Sequence, residues 1–284
     1  MSRLLKVYRQ TVRRRLSWLG VRSSFYGEPG KRLHVYEFEG KSEGLDFMFV
    51  HGLGSDASAY GLVIPRLLPY ARRLWAVELP GHGFSELIDP LPPLEEGFEM
   101  VATRLDELIE RPVVLVGTSL GGAVALKYAL RTPENVARLV LVSPAGAPMS
   151  KVAFDDLRAL FLNNSIQGAS HFLRRLYHRP PVYAPIMAWF IRSVLHGTVV
   201  KTFLDTPIED SYVSADDVQS LGMDTLLLWG RSERILPHEC LRWYQENMPD
   251  RVRIERPEGF GHAPHLECPE ALVDRILEFT WSEP

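Results

Sequence analysis

Residues 113–122 read Val-Val-Leu-Val-Gly-Thr-Ser-Leu-Gly-Gly. A short Val and Leu run ending at a glycine predicts a strand buried on both faces, over Pro112 to Gly117. Gly121 to Leu130 then predicts a helix. Between the two, Gly117, Ser119 and Gly121 fit the pattern G-x-S-x-G in a strand–turn–helix setting. Such a turn is tight, and its glycines let neighbouring backbones approach without clash. Ser119 should therefore project from the sheet edge, with a helix start behind it that favours developing negative charge. The motif alone turns up by chance, since glycine makes up about 7% of average sequences. The strand before it and the helix after it give it weight.

The same alternation recurs on both sides of this turn. Further strands are expected at Arg32 to Phe38, Asp46 to His51, Arg73 to Leu79, Arg138 to Ser143, Thr225 to Gly230 and Val252 to Arg256. Helices are expected at Glu95 to Glu110 and at Pro269 to Trp281, the latter with proline in its first turn. Strands alternating with helices predict an α/β, mostly parallel, doubly wound sheet. The alternation breaks between about Gly146 and Ser220, where apolar residues recur at helical spacing and prolines punctuate. Residues 146–220 thus read as a helical lid inserted into a core of residues 23–145 and 221–284, placed where insertions roof a binding crevice.

Bulk properties agree with a globular chain of 284 residues, 46% hydrophobic and 24% charged, which can bury a full core unaided. The net charge of −3 gives no basic balance pointing to nucleic acid. The charge is uneven, however: residues 1–27 hold seven Lys or Arg and no acid. Residues 3–19 read as a basic amphipathic helix with Leu5, Tyr8, Val12, Leu16 and Leu19 in one row. The N-terminal segment, residues 1–22, is either packed on the body or a peripheral contact to an anionic membrane. Two cysteines suit a reducing compartment, and neither a secretory signal nor a transmembrane run is read, so a cytoplasmic location is expected.

Three further stretches carry chemistry. His51-Gly52-Leu53-Gly54 follows an expected strand, and the Leu53 and Leu120 N–H groups are candidates for an oxyanion hole. His262, after Gly261, is the late loop histidine expected to act as base, with His265 as the weaker competitor. Glu233 is the only carboxylate in the loop from Gly230 to Pro237, placed to orient that histidine. No metal-ligand spacing is present, and neither metal nor organic cofactor is expected.

These segments, with Leu79-Pro80-Gly81-His82-Gly83-Phe84-Ser85 and with Glu267 and Pro269 after His262, resemble the α/β-hydrolase family with a helical cap over roughly residues 32–281. The cap is similar in style to those of esterases, lipases and monoacylglycerol-lipase-like hydrolases. The resemblance implies an α/β-hydrolase fold and a Ser119, Glu233, His262 triad. The family usually has Asp where this chain has Glu233, so a shifted backbone or histidine is expected. The implied reaction is hydrolysis of a small-molecule ester with an apolar acyl group, and Phe172, Tyr177, Trp189, Phe190 and Phe203 are candidate pocket residues. Two other readings stay open. One is carbon–carbon bond hydrolysis of diketone-like acids, with Arg174, Arg175 or Arg192 receiving the acid. The other is a non-catalytic binding protein.

Overall fold

The computed structural model describes Gln10, Thr11, Arg13, Arg14 and residues 20–281. Eight strands form one sheet in the order β1-β2-β4-β3-β5-β6-β7-β8. They are β1 (Arg22–Tyr26), β2 (Leu33–Glu39), β3 (Leu45–Val50), β4 (Ala71–Val77), β5 (Val113–Thr118), β6 (Val136–Val142), β7 (Asp224–Leu228) and β8 (Arg253–Glu255). β1 and β2 pair antiparallel to their neighbours, and all remaining pairs are parallel.

Alternation along each strand divides the core. Met48, Val50, Leu115, Leu139, Leu141 and Leu227 face one layer, while Phe47, Phe49, Val114, Val116, Val140 and Leu226 face the other. The first layer is covered by α1 (Leu94–Leu108) and α2 (Leu120–Arg131), through Val101, Leu105, Leu126 and Ala129 among others. The second is covered by α8 (Pro269–Trp281), through Leu272, Val273, Ile276 and Phe279. A helix buries these side chains because they recur every three or four residues.

The chain between β6 and β7 carries α3 (Lys151–Leu162), α4 (Ile166–Leu176), α5 (Ala184–Leu195) and α6 (Thr198–Asp205), with no strand. Serines start the first two: Ser150 accepts from Ala153 N–H and Ser165 from Gly168 N–H. After β7 comes α7 (His238–Asn247).

Among the elements given above, β1 and α7 are not evident in the sequence. β1 was not anticipated because Arg-Ser-Ser-Phe-Tyr carries little apolar pattern; it is fixed by pairing with β2, Ser24 opposite Val35. α7 is amphipathic, burying Cys240, Leu241 and Tyr244. Of the expected N-terminal helix, Gln10, Thr11, Arg13 and Arg14 are helical, and the Arg13 guanidinium lies 5.2 Å from the centre of the Phe84 ring. Leu5, Tyr8, Val12, Leu16 and Leu19, the row on which that expectation rests, lie outside the described residues. No helix among the described residues is long and apolar enough to cross a membrane.

Candidate active site

Ser119 joins β5 to α2 at φ 56°, ψ −120°. A non-glycine residue there costs on the order of 1–3 kcal/mol and persists only when its surroundings enforce it. The enforcement is visible. A Cβ on Gly121 would fall on the Val50 and His51 carbonyls, and one on Gly117 would fall on the Gly121 carbonyl. Only glycine lets α2 start this close to β3 and β5. Ser119 N–H donates to Val142 O at 3.0 Å, Ser143 N–H to Leu228 O at 2.8 Å, and Trp229 N–H to Glu255 O at 2.9 Å. These rungs set the spacing of the strand ends from β5 to β8, so the loops bearing Ser119, Glu233 and His262 share one edge.

His262 and Glu233 meet there. Glu233 Oε2 accepts from His262 Nδ1 at 2.7 Å, and both side chains are nearly closed to water. Glu233 Oε1 accepts from Ile235 and Leu236 N–H, at 2.7 and 3.0 Å. Burial would raise the Glu233 carboxyl, but the His262 charge, the His262 hydrogen bond, the Ser143 hydroxyl and the Leu236 amide together hold it below the usual range. The extra methylene of glutamate lets the carboxylate curl back onto its own loop while still reaching the imidazole.

The turn after β3 is held by two histidines. Leu79 N–H donates to His51 Nε2 at 3.1 Å, and Gly54 N–H donates to His82 Nε2 at 3.1 Å. Each backbone donor requires an unprotonated Nε2, so the Nδ1 atoms carry the protons and donate to Gly52 O (2.8 Å) and Pro80 O (3.0 Å). The Leu53 and Leu120 amides, meanwhile, donate no hydrogen bond among the described residues. Leu120 is the first residue of α2, where the amide has no intrahelical partner.

His265, the competitor to His262, is fully buried against Tyr60 with its Nδ1 unpartnered. Burial, then the nearby His262 and His51, push its pKa down to about 3. It is a neutral core histidine.

Two adjoining cavities meet at this edge. One, of about 50 Å³, touches Ser119 and runs past Ala145, Gly146 and Met149 to Leu157 and Phe161. The other, of about 140 Å³, lies between Leu91–Phe98 and α6, walled by Leu94, Phe98, Val124 and Val199. Leu53, Leu120 and Phe203 line both.

The other four aromatic candidates stand away from these cavities. Phe172 packs edge-on against Phe161 in the core, ring centres 5.0 Å apart. Tyr177 is buried with Ala169, Leu173 and Ala188. Trp189 and Phe190 face outward, 49% and 36% exposed. Helical rows are visible in sequence, but which row faces Ser119 depends on how the cap docks.

Two residues of the motifs had no role from sequence. His82 holds the Gly54 amide, as above. Glu267 accepts from Gly261 N–H at 2.6 Å and from His178 N–H at 2.7 Å, and His262 N–H donates to Leu176 O at 2.9 Å. The loop carrying His262 is therefore strapped to the end of α4. Burial raises the Glu267 carboxyl, against the backbone amides that it accepts.

A strained serine on a strand–helix turn, a histidine held by a carboxylate, and a mostly parallel sheet define an α/β hydrolase. The family model for the alpha/beta hydrolase family matches residues 47–275, and the chain belongs to that family. It is similar to the pimeloyl-[acyl-carrier protein] methyl ester esterase of Nitrosomonas europaea, at 29% identity over 247 residues, covering 83% of this chain and 95% of that one. Among solved structures it is similar to carboxylesterase CesB of Bacillus subtilis (TM-score 0.79, 21% identity, 99% of each chain). It is also similar to 2-hydroxy-6-oxo-6-phenylhexa-2,4-dienoate hydrolase of Rhodococcus (TM-score 0.77, 20% identity, 92% of this chain and 100% of that one). At these identities the two structures speak to the fold.

Proposed function

We propose that this chain is a serine carboxylesterase for esters with one long apolar side and one short side. That it is a serine ester hydrolase accords with its family and its esterase relative; the substrate shape is read from the site. The observation that carries it is the pair of apolar cavities divided at Leu53, Leu120 and Phe203, with Ser119 at the smaller one.

In this reading Ser119 Oγ attacks the ester carbonyl carbon while His262 Nε2 takes its proton. Glu233 keeps the proton on Nδ1 and stabilises the imidazolium. The Leu53 and Leu120 amides receive the oxyanion, a contribution worth about 3–4 kcal/mol per donor in well-studied cases. His262 returns the proton to the departing alcohol. Water then attacks the acyl-enzyme by the same route and releases the acid. The larger cavity accommodates the acyl chain and the smaller one the alcohol.

A carboxylate-bearing diketone substrate finds little here to receive its charge. Arg174, Arg175 and Arg192 line neither cavity, and Arg175 pairs with Asp156 at 2.7 Å. Lys127, at the wall of the larger cavity, is held by Glu95 at 3.2 Å.

The test is hydrolysis of p-nitrophenyl esters of increasing acyl length by wild type and Ser119→Ala. The expected result is a medium-chain optimum in the wild type and no activity in the variant. Absence of ester hydrolysis beside turnover of a diketone acid would refute the proposal.

A further inference from the structure

The outer side of the cap is unlike the rest of the surface. Five of the twelve large hydrophobic side chains exposed among the described residues fall within nine positions: Val182, Tyr183, Ile186, Trp189 and Phe190. Ile186, Trp189 and Phe190 recur at helical spacing on one face of α5, and Val182 and Tyr183 lie in the turn that leads into it. The opposite face is committed inward. Ala188 and Leu195 are buried, and a Cβ on Gly54 would lie 3.8 Å from Val194 and 4.0 Å from Leu195. α5 thus covers the Leu53 turn with one side and shows an apolar side to solvent with the other.

Charge singles out the occupant. From Leu157 to Leu204 the sequence has no Asp or Glu, in a chain whose net charge is −3. Arg174, Arg179, Arg192 and Lys201 fall in this span and make no ion pair among the described residues. Unpaired cations on either side of Tyr183, Trp189 and Phe190 in the sequence, with a helix too short to span a bilayer, fit a surface with anionic headgroups over an apolar interior.

We propose that the α5 face docks on an anionic lipid surface, with the helix lying in the interface plane and Trp189, Phe190 and Ile186 inserted. This proposal rests on residues 157–204 and on none of residues 1–22. It stands independently of the ester reading, because vesicle binding needs no turnover.

The test is co-sedimentation of the full chain with vesicles of equal parts phosphatidylcholine and phosphatidylglycerol, against phosphatidylcholine alone, at low and high salt. Wild type is expected to bind the anionic vesicles more tightly, with binding weakened by salt. Trp189→Ser with Phe190→Ser should lower the partition about tenfold or more, since each aromatic loses its apolar burial. Arg174→Glu with Arg179→Glu should lower it about fivefold per charge and flatten the salt dependence. An unchanged melting midpoint shows that each variant is folded, and the charge pair keeps the test valid where the aromatic pair unfolds. Binding within twofold of wild type in both variants overturns the proposal. So does a lipid-free dimer of the wild type that the aromatic pair converts to monomer, because a second copy would then be what covers the face.

Discussion

At the β1–β2 edge, Ser23 Oγ lies 2.6 Å from His34 Nε2, whose Nδ1 lies 2.9 Å from Glu78 Oε2. At the carboxyl ends of β5, β7 and β8, the loops bearing Ser119 and His262 share one edge, and His262 Nδ1 lies 2.7 Å from Glu233 Oε2. The residue types are the same, and the acid–histidine geometry is nearly the same. Everything around them differs. Ser23 sits in a regular strand, and its histidine and glutamate are closed off among Phe25, Tyr36 and Phe84. Glu78 also accepts from Phe84 N–H at 2.6 Å, and none of the three residues lines either cavity beside Leu53 and Leu120. Ser119 has a left-handed φ and borders a cavity that Leu53 and Leu120 also line, and the amides of those two donate to no described residue. A serine–histidine–carboxylate alignment is therefore a way of burying polar groups. In the proposed reading, space and unspent donors are what make the Ser119 site the reactive one.

The sharpest way to break this contrast is to delete each serine. Ser119→Ala is expected to lower kcat/KM about 10⁴-fold or more and to abolish fluorophosphonate labelling. Ser23→Ala should leave labelling intact. Label found on Ser23 by peptide mapping would collapse the distinction.

Exchanging the carboxylates comes next. Glu233→Gln should cost about 10³–10⁴-fold in kcat, because the amide no longer fixes the Nδ1 proton. Glu78→Ala should instead cost about 3 kcal/mol of stability, because it strands a buried partner. Urea unfolding beside steady-state kinetics on both variants reads the two costs separately.

The smallest effect concerns His265, a buried histidine with neither acid nor serine. Its folded pKa near 3 lies below the unfolded value of about 6.5. Between those values the unfolded chain binds the extra proton. Its contribution is therefore complete above about pH 6.5 and is lost by up to about 1.4 kcal/mol per pH unit as pH falls. Stability of His265→Leu measured by urea unfolding from pH 7 to pH 5 should decline less steeply than wild type. Parallel slopes would refute the assignment.

The comparison also explains what could be read in advance. β3, β5, β6 and β7 are buried on both faces, so their apolar runs announce themselves, and the glycines around Ser119 are demanded by backbone approach. Glu233 was legible as the sole carboxylate of its loop. β1 was not, since its place comes from pairing with β2. The pocket walls were equally hidden. Cap helices are apolar on more than one row, and tertiary docking sent Phe172 inward, Trp189 outward and Phe203 to the cavities. The Ser23 array was invisible because three unremarkable residues, Ser23, His34 and Glu78, are far apart in sequence.

The strap formed by Glu267 has a consequence for how such a cap can change over evolutionary time. His262 takes its main-chain support from Leu176 O, and Glu267 grips the His178 and Gly261 amides together. All of these contacts on the cap side are made by backbone atoms. The inserted helices can thus vary their side chains without disturbing these bonds, while the course of the chain at residues 176–178 is inherited with the histidine. Grafting a foreign cap onto this core means transplanting that short stretch of backbone first.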